Sequence, residues 1–242
     1  MPPRLLPLRV PAGWVVGWNT FWDMEVPEDG FGGSSLLYCL RHDQRLVIDV
    51  EWRPEDDPNG HYHYYVQRQP ASGESAPEPE IRASGESRSR FEVAAWVNRW
   101  LARGILEAPG DVVPPVPGEG AAGGQLHPLR IPAAWTIQRN ALTERGVDGD
   151  EAPASGLLLF RAVDEKRGFR IDAGWNSSEG YTLEALQAEP SREARPGSKA
   201  LPPRFDGDVR VAHRSSTPQL AELVARLEKW LTHIFWWDFH RK

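Results

Sequence analysis

The chain has 242 residues, of which 40% are hydrophobic and 26% charged, and its formal net charge is −6. This composition is typical of a folded, water-soluble protein, and the chain lacks the run of roughly 18 apolar residues that a membrane span needs, so we expect a cytoplasmic protein. Residues 1–124 carry 18 acidic and 11 basic side chains (−7) and residues 125–242 carry 16 and 17 (+1). This acidic first half argues against direct binding of nucleic acid, which needs a basic surface.

Two parts of the chain repeat each other in the same order. The segment LPLRVPAGW at 6–14 matches HPLRIPAAW at 127–135, and IDVEWRPEDDPNGHY at 48–62 is echoed by IDAGWNSSEGY at 171–181. Shorter matches pair Asn19 with Asn140, Arg88-Ser89 with Arg214-Ser215, and Trp100-Leu101 with Trp230-Leu231. Conserved order with changes of spacing only between the matches indicates a diverged tandem duplication.

The duplication predicts three parts: a first module at 1–104, a Pro/Gly-rich linker at 105–125, and a second module at 126–242. Each module is predicted to contain about four strands followed by one helix. Leu46, Ile48, Val50 and Trp52 alternate with polar or smaller residues, which is typical of a strand with one buried face. The predicted strands, in chain order, are 14–22, 34–41, 45–52 and 60–68, then 135–142, 156–163, 167–175 and 180–188.

Apolar residues at helical spacing close each module. In the second, Thr217 is a plausible N-cap with Pro218 at the first helical position. The stripes are Phe91, Ala94, Val97 and Leu101 in the first module, and Leu220, Leu223, Val224, Leu227, Leu231 and Ile234 in the second. We therefore predict an α+β fold of two tandem modules, each an antiparallel sheet of about four strands packed by its C-terminal helix.

Three segments lack the apolar periodicity of a strand or a helix, or allow two interpretations of their position. The polar stretches at 70–86 and 190–207 are either mobile surface or functional loops, and mobile surface is the preferred interpretation. The aromatic tail IFWWDFHRK at 234–242 either docks within the chain or contributes to an interface, and intramolecular docking is the preferred interpretation because exposed apolar patches are uncommon.

A set of repeated residues is expected to be structural. The tryptophans are assigned to the core: Trp14, Trp52 and Trp100, with Trp135, Trp175 and Trp230. Asp49 and Asp172 recur on the strand face opposite the apolar row, where they could act as general acids or bases but are preferred as anchors. Their expected partners are Arg88 in the first module and Arg214 in the second.

One charged turn and the strand after it have the composition of a protein interface, with aromatic residues beside charges. The predicted partner-binding residues are Glu51, Arg53, Glu55, Asp56, Asp57, His61, His63 and Tyr65.

No catalytic or cofactor-binding pattern occurs, so an enzyme is not the expected class and no cofactor is expected. His61 and His63 stand two residues apart on a predicted strand, which places both imidazoles on one face. Asp49 or Asp57 could lie near them, but no third ligand stands at a diagnostic spacing, so no metal site is predicted.

The order I/V-P-A-x-W, N, I-D-x-x-W, G-x-Y, R-S, W-L resembles small bacterial immunity proteins that are encoded beside polymorphic or contact-delivered toxins. In such families a module of about 110 residues starts with Ile-Pro-x-x-Trp and ends in a Trp-Leu helix. The likeness covers both modules but not the linker or the long loops. The second module departs from it, with Arg139 and Ala141 where the first has Trp18 and Thr20.

The resemblance implies a cytoplasmic, monomeric antitoxin without turnover, which binds a cognate toxin domain and blocks its active site or substrate access. A basic, nuclease-type toxin would suit the acidic first module. Two alternatives stay open at this point: a chaperone that loads a secreted effector, and an enzyme without a recognisable motif.

Overall fold

The computed structural model describes residues 4–27, 31, 35–70, 78–103, 125–147, 156–188 and 209–233. The first copy of the repeat contains β1 (Val15–Asn19), β2 (Ser35–Arg41), β3 (Leu46–Arg53), β4 (His61–Arg68), β5 (Glu80–Ser87) and α1 (Arg90–Arg103). The second contains β6 (Trp135–Asn140), β7 (Leu157–Asp164), β8 (Phe169–Asn176), β9 (Gly180–Ala188), β10 (Val209–Thr217) and α2 (Leu220–His233). Neither helix is long and apolar enough to cross a lipid bilayer.

The expectation of two tandem modules with four-stranded sheets is wrong. The ten described strands belong to one antiparallel sheet with the order β10-β9-β8-β7-β6-β1-β2-β3-β4-β5. The two strands that the sequence did not predict are β5 and β10, which pair with β4 and β9. They read EIRASGES and VRVAHRSST and are mostly exposed or half-buried, so neither shows the apolar alternation by which a strand is recognised.

The chain divides into two compact units whose boundary differs from that of the sequence repeat. One unit is Met1–Glu119 with Pro128–Ala134, and the other is Gly120–His127 with Trp135–Lys242. Pro128–Ala134 opens the second copy in sequence but lies in the first unit, where the Leu8 and Leu129 amides each donate to the other's carbonyl at 3.0 and 2.9 Å. The predicted linker lies outside the described residues except for Gln125.

In the first unit α1 packs against β4 and β5. It lies on the sheet face that also carries the buried Leu46, Ile48, Val50 and Trp52 of β3, as the alternation predicts. Val93, Val97 and Leu101 of the helix are fully buried. Burial of side chains of this size contributes roughly 1.5–3 kcal/mol each. Phe91 does not join them, contrary to the predicted stripe: its ring is 60% exposed and lies under the Arg90 guanidinium.

The second unit has the same layout, with the core formed by Phe160, Ile171 and Leu183 against Leu223, Leu227 and Leu231 of α2. Trp175 is only half-buried although its counterpart Trp52 is fully buried, so the repeated Ile-Asp-x-x-Trp does not place both tryptophans alike. Ile234 and the aromatic tail that follows it lie outside the described residues.

A side-chain bond at each helix start shows how the two copies correspond. Ser87 Oγ donates to the Glu92 carboxylate at 2.6 Å, and Thr217 Oγ bonds to Glu222 in the same way. The prediction of Thr217 as the N-cap is wrong. Thr217 is the last residue of β10, and α2 begins three residues later, at Leu220. The match of Arg88 with Arg214 is also wrong. Arg214 pairs with Glu184, and the equivalent residue of the first copy, Tyr65, pairs with Ser84, so Ser84 is the counterpart of Arg214.

Two further bonds recur in both units. Trp14 Nε1 donates to the Leu101 carbonyl at 3.2 Å, and Trp135 Nε1 donates to the Leu231 carbonyl at 3.1 Å, so each indole ties the last turn of a helix to the sheet. Asn19 and Asn140 accept bonds from Phe21 N and Leu142 N at 3.0 and 3.1 Å, which stabilises the turn after each first strand.

Candidate functional site

The sheet face opposite α1 carries a row of chemically unlike side chains. The antiparallel register places Trp18 of β1 beside Tyr38 of β2, Tyr38 beside Asp49 of β3, and Asp49 beside Tyr65 of β4. Glu51 lies two residues further along β3 on the same face. We call the surface formed by Trp18, Tyr38, Asp49, Glu51 and Tyr65 the acidic-aromatic face.

Asp49 is the centre of this row and is only 7% exposed. Its carboxylate accepts hydrogen bonds from Ser35 Oγ at 2.9 Å and from the Tyr65 hydroxyl at 3.3 Å. Burial raises the pKa of Asp49, with a further increase from the neighbouring Glu51 charge, and the bonds from Ser35 and Tyr65 only partly offset this rise. The ionised form of Asp49 is therefore disfavoured in the folded chain, and a nearby cation would stabilise it.

The pKa values of the two tyrosines beside Asp49 are raised, which favours the neutral hydroxyl over the phenolate. Burial raises the pKa of Tyr38, and the Asp49 charge adds to the rise. Burial also raises the pKa of Tyr65, which is further increased by Asp49 and Glu51, and its hydroxyl donates to Glu51 Oε1 at 3.1 Å. Trp18 at the end of the row is 50% exposed, so an apolar surface adjoins the carboxylates.

The charged residues after Asp49 form a chain of ion pairs along the end of β3. Arg53 binds Glu51 at 3.0 Å and Glu55 at 3.0 Å, and its side chain is 44% exposed. In the turn that follows, Asp57 Oδ1 accepts from Asn59 N at 2.8 Å, and the Asp57 carbonyl accepts from Trp52 Nε1 at 2.9 Å. These bonds fix the turn, so Asp57 is partly a structural residue.

The turn also depends on Gly60 and Asp56. A Cβ on Gly60 would lie 2.7 Å from Trp52 Nε1 and 2.8 Å from the Arg53 carbonyl, so the close approach requires glycine. Asp56 adopts the left-handed conformation at φ 57°, which Asp tolerates better than most residues.

His61 and His63 of β4 lie on the same face as Tyr65 and meet a residue of β5. Their Nε2 atoms are 3.1 Å apart. Glu86 Oε2 lies 3.2 Å from His61 Nε2, and Glu86 Oε1 lies 3.1 Å from His63 Nε2. Neither Asp49 nor Asp57, the expected neighbours of this pair, belongs to the group of three.

The second unit has a different surface at the equivalent positions. There the row reads Arg139, Arg161, Asp172, Glu184 and Arg214. We call this surface the arginine face. Asp172 accepts two bonds from Arg161, at 2.8 and 2.7 Å, and lies 3.2 Å from Arg170 Nε. The bond to Asp172 raises the pKa of Arg161, so in this unit the repeated aspartate already has its cations.

The expected pairs of Asp49 with Arg88 and of Asp172 with Arg214 are therefore wrong. Arg88 donates to the Pro58 carbonyl at 3.3 Å. Arg214 binds Glu179 at 2.9 Å and Glu184 at 3.4 Å. The pairing was inferred from the sequence match of Arg88 with Arg214, and the strand register does not support that match.

The structure divides the predicted partner-binding residues into two groups. Glu51, Arg53, His61, His63 and Tyr65 share one face of the sheet, whereas Glu55, Asp56 and Asp57 lie in the turn. Of the remaining tryptophans assigned to the core, Trp230 is 7% exposed and Trp100 is half-buried beside Trp96.

Sequence reasoning did not assign four residues of this surface, namely Trp18, Ser35, Tyr38 and Glu86. The exchange of Trp18 for Arg139 between the copies was a usable signal, because a solvent-facing position that changes so sharply marks a change of surface. Tyr38 was hidden in the apolar run LLYCL and Glu86 in a segment read as a loop.

No protein-family model, no curated protein and no solved structure matches this chain.

Proposed function

We propose that the chain is an immunity protein, which resides in the cytoplasm and neutralises a cognate bacterial toxin by binding it through the acidic-aromatic face. The observation that carries the proposal is the buried Asp49 carboxylate, which has hydroxyl donors where its repeat counterpart Asp172 has guanidinium groups. A cationic side chain of a partner would give Asp49 the positive charge that it lacks, whereas Asp172 already has this charge from its own arginines.

The composition of the face supports a protein ligand. Trp18 and Tyr38 provide aromatic surface next to Asp49 and Glu51, and aromatic residues combined with hydrogen-bonding groups are typical of the residues that dominate binding energy. The partner would present arginine or lysine to the carboxylates and an apolar group to Trp18. A basic toxin domain, such as a nuclease, has this chemistry.

Inhibition of this kind needs no turnover. The negative charge of the first unit would speed encounter with a basic surface, and burial of Trp18 in the complex would slow dissociation. The bound chain would then cover the toxin's active site or block the approach of its substrate.

A chaperone for a secreted effector is the second candidate, and the half-exposed Trp18 beside Tyr38 is the feature that favours it. A chaperone would use this aromatic surface to hold an apolar N-terminal segment of the effector. An immunity protein would bind the toxic C-terminal domain instead.

The test is titration calorimetry of the full chain with two fragments of the toxin encoded beside it, together with an assay of toxin activity. The proposal expects nanomolar binding to the C-terminal toxic domain and loss of its activity at equimolar chain. Binding confined to an N-terminal apolar fragment would favour the chaperone, and binding to neither fragment would refute both candidates.

Two matched pairs of variants assign the face. Trp18→Ala and Glu51→Gln are expected to weaken binding of the toxic domain by tenfold or more, in keeping with about 1.4 kcal/mol or more for a central interface residue. Arg139→Ala and Glu184→Gln change the arginine face in the second unit, with Arg139 and Trp18 at equivalent positions, and should leave the affinity within about twofold.

A further inference from the structure

His61, His63 and Glu86 bring three metal-binding atoms together on adjacent strands. Their ligand atoms all lie within 4.8 Å of one another. His63 and Glu86 are directly opposite each other in the β4–β5 ladder. His61 lies two residues before His63 in the chain and on the same face of the sheet. The rigid pairing of two strands therefore sets the spacing, so it does not depend on a chance meeting of long side chains.

Hydrogen bonds alone do not satisfy this triangle. If both Nε2 atoms carry a proton, each donates to a Glu86 oxygen, but the two N–H groups then face each other at 3.1 Å. If only one carries a proton, the bare nitrogen of the other imidazole lies against a Glu86 oxygen, so two lone pairs meet. In either protonation state one of the three contacts is repulsive.

A metal ion removes this conflict, because all three atoms would direct lone pairs to it. Two atoms 3.1 Å apart, each about 2.0–2.1 Å from a metal, subtend an angle of about 100° at the metal. That angle lies between the values of octahedral and tetrahedral coordination. Each carboxylate oxygen of Glu86 contacts one imidazole, Oε2 with His61 at 3.2 Å and Oε1 with His63 at 3.1 Å, and a metal at the same distance from the atoms of either contact would give nearly the same angle.

We propose that His61, His63 and Glu86 form a binding site for a divalent transition-metal ion of the zinc class. Two imidazoles and one carboxylate suit Zn²⁺ and its neighbours, whereas Mg²⁺ and Ca²⁺ prefer oxygen ligands alone. The side chains are 35%, 38% and 58% exposed, so an ion reaches them from solvent. Three protein ligands leave at least one coordination position for water or for a donor atom of a partner.

The second unit provides an internal comparison. Gly180 and Thr182 of β9 stand at the positions equivalent to His61 and His63, and Ser216 of β10 stands where the first unit has Glu86. These three residues lack imidazole and carboxylate groups. The site is thus a property of the first unit and is independent of the proposed toxin-binding role.

The experiment is titration calorimetry of the full, untagged chain with ZnCl₂, repeated with MgCl₂. One site of micromolar affinity or tighter is expected for Zn²⁺ and no heat of binding for Mg²⁺. His61→Gln, His63→Gln and Glu86→Gln should each weaken Zn²⁺ binding at least about tenfold, since loss of a residue that only hydrogen-bonds to a metal ligand already weakens metal binding by about that factor. His42→Gln, at an exposed histidine outside the cluster, is the matched control and should bind as the parent does.

Imidazole NMR identifies the ligands directly, and circular dichroism checks that each variant is folded. Zinc should shift the Nε2 signals of His61 and His63 and leave that of His42 in place. Absence of Zn²⁺ binding by the parent chain, or binding of unchanged strength in all three cluster variants, would overturn the proposal. Glu86→Gln replaces one atom of an exposed side chain, so it remains informative if a histidine variant fails to fold.

Discussion

Asp49 and Asp172 show how one repeated residue acquires two roles from its neighbours. Both occupy the same position of the third strand in their copy, on the face opposite the helix. Tyr38 and Tyr65 flank Asp49, whereas Arg161 and Glu184 flank Asp172. The sequence predicts the recurrence and the face, but the partners come from strands more than ten residues away, and short-range patterns do not specify that register.

Replacement of each aspartate by asparagine should therefore have opposite effects on stability. Asp172→Asn removes a carboxylate bound by Arg161 at 2.8 and 2.7 Å and should lower the free energy of unfolding by about 1.5–3 kcal/mol. Asp49→Asn removes a carboxylate that burial disfavours and retains one acceptor oxygen for Ser35. Its amide group can donate to the Tyr65 hydroxyl, whose own proton goes to Glu51, so stability at pH 7 should stay the same or rise. Urea unfolding of the two variants measures both values, and an equal loss in both would contradict this account.

The same pKa shift predicts a pH dependence for Asp49. Its pKa is raised in the folded state, so the folded chain binds the proton more tightly than the unfolded chain does. Tighter binding of this proton stabilises the folded chain at pH values below the ordinary pKa of aspartate, about 3.9. The stabilisation is lost as the pH rises through the raised pKa of Asp49 in the folded chain. Asp49→Asn should thus gain stability relative to the parent between pH 4 and pH 7. A difference that is flat over this range, in unfolding measured at each pH, would show that Asp49 is not destabilised by burial.

The repeated tryptophan that ties each helix to its sheet should be a main source of stability. Trp14→Phe and Trp135→Phe each remove an indole bond to a helix carbonyl and leave a cavity at a fully buried site. Each should lower the free energy of unfolding by about 2–4 kcal/mol. Trp100→Phe, at a half-buried position of α1, is the control and should cost less than about 1 kcal/mol.

The strands that could be predicted and those that could not differ in burial. β3 has alternating residues that are fully buried, and its apolar pattern gives its position within one residue. β5 has mainly exposed residues and is held by backbone bonds to β4, which leave no mark on side-chain hydrophobicity. Glu86 lies on β5. Because β5 could not be predicted as a strand, its Glu86 could not be placed beside His61 and His63.

The repeat is visible in the sequence, but the number of strands and their order in a single sheet are not. Matching motifs show which segments of the chain resemble each other, whereas strand order depends on backbone pairing that motifs do not encode. The assignment of Pro128–Ala134 to the first unit is a further example, because its sequence places it at the start of the second copy.

The charge of the molecule predicts how association with a basic toxin domain depends on salt. The net charge is −6, and the first 124 residues carry −7. The association rate should fall as ionic strength rises from about 0.01 to 0.15 M, where the screening length shortens from about 30 to 8 Å. Glu51→Gln should reduce this dependence in stopped-flow measurements, whereas Glu184→Gln, on the arginine face, should leave it unchanged.

Hydroxyl-radical footprinting of the chain with and without the toxic domain measures whether the acidic-aromatic face holds the partner. Trp18 is 50% exposed in the free chain, and we predict that saturation with the partner suppresses its oxidation severalfold. The exposed His213 of β10 serves as the reference within the same sample and should be oxidised equally in both states. Unchanged oxidation of Trp18 in a saturated complex would contradict the account.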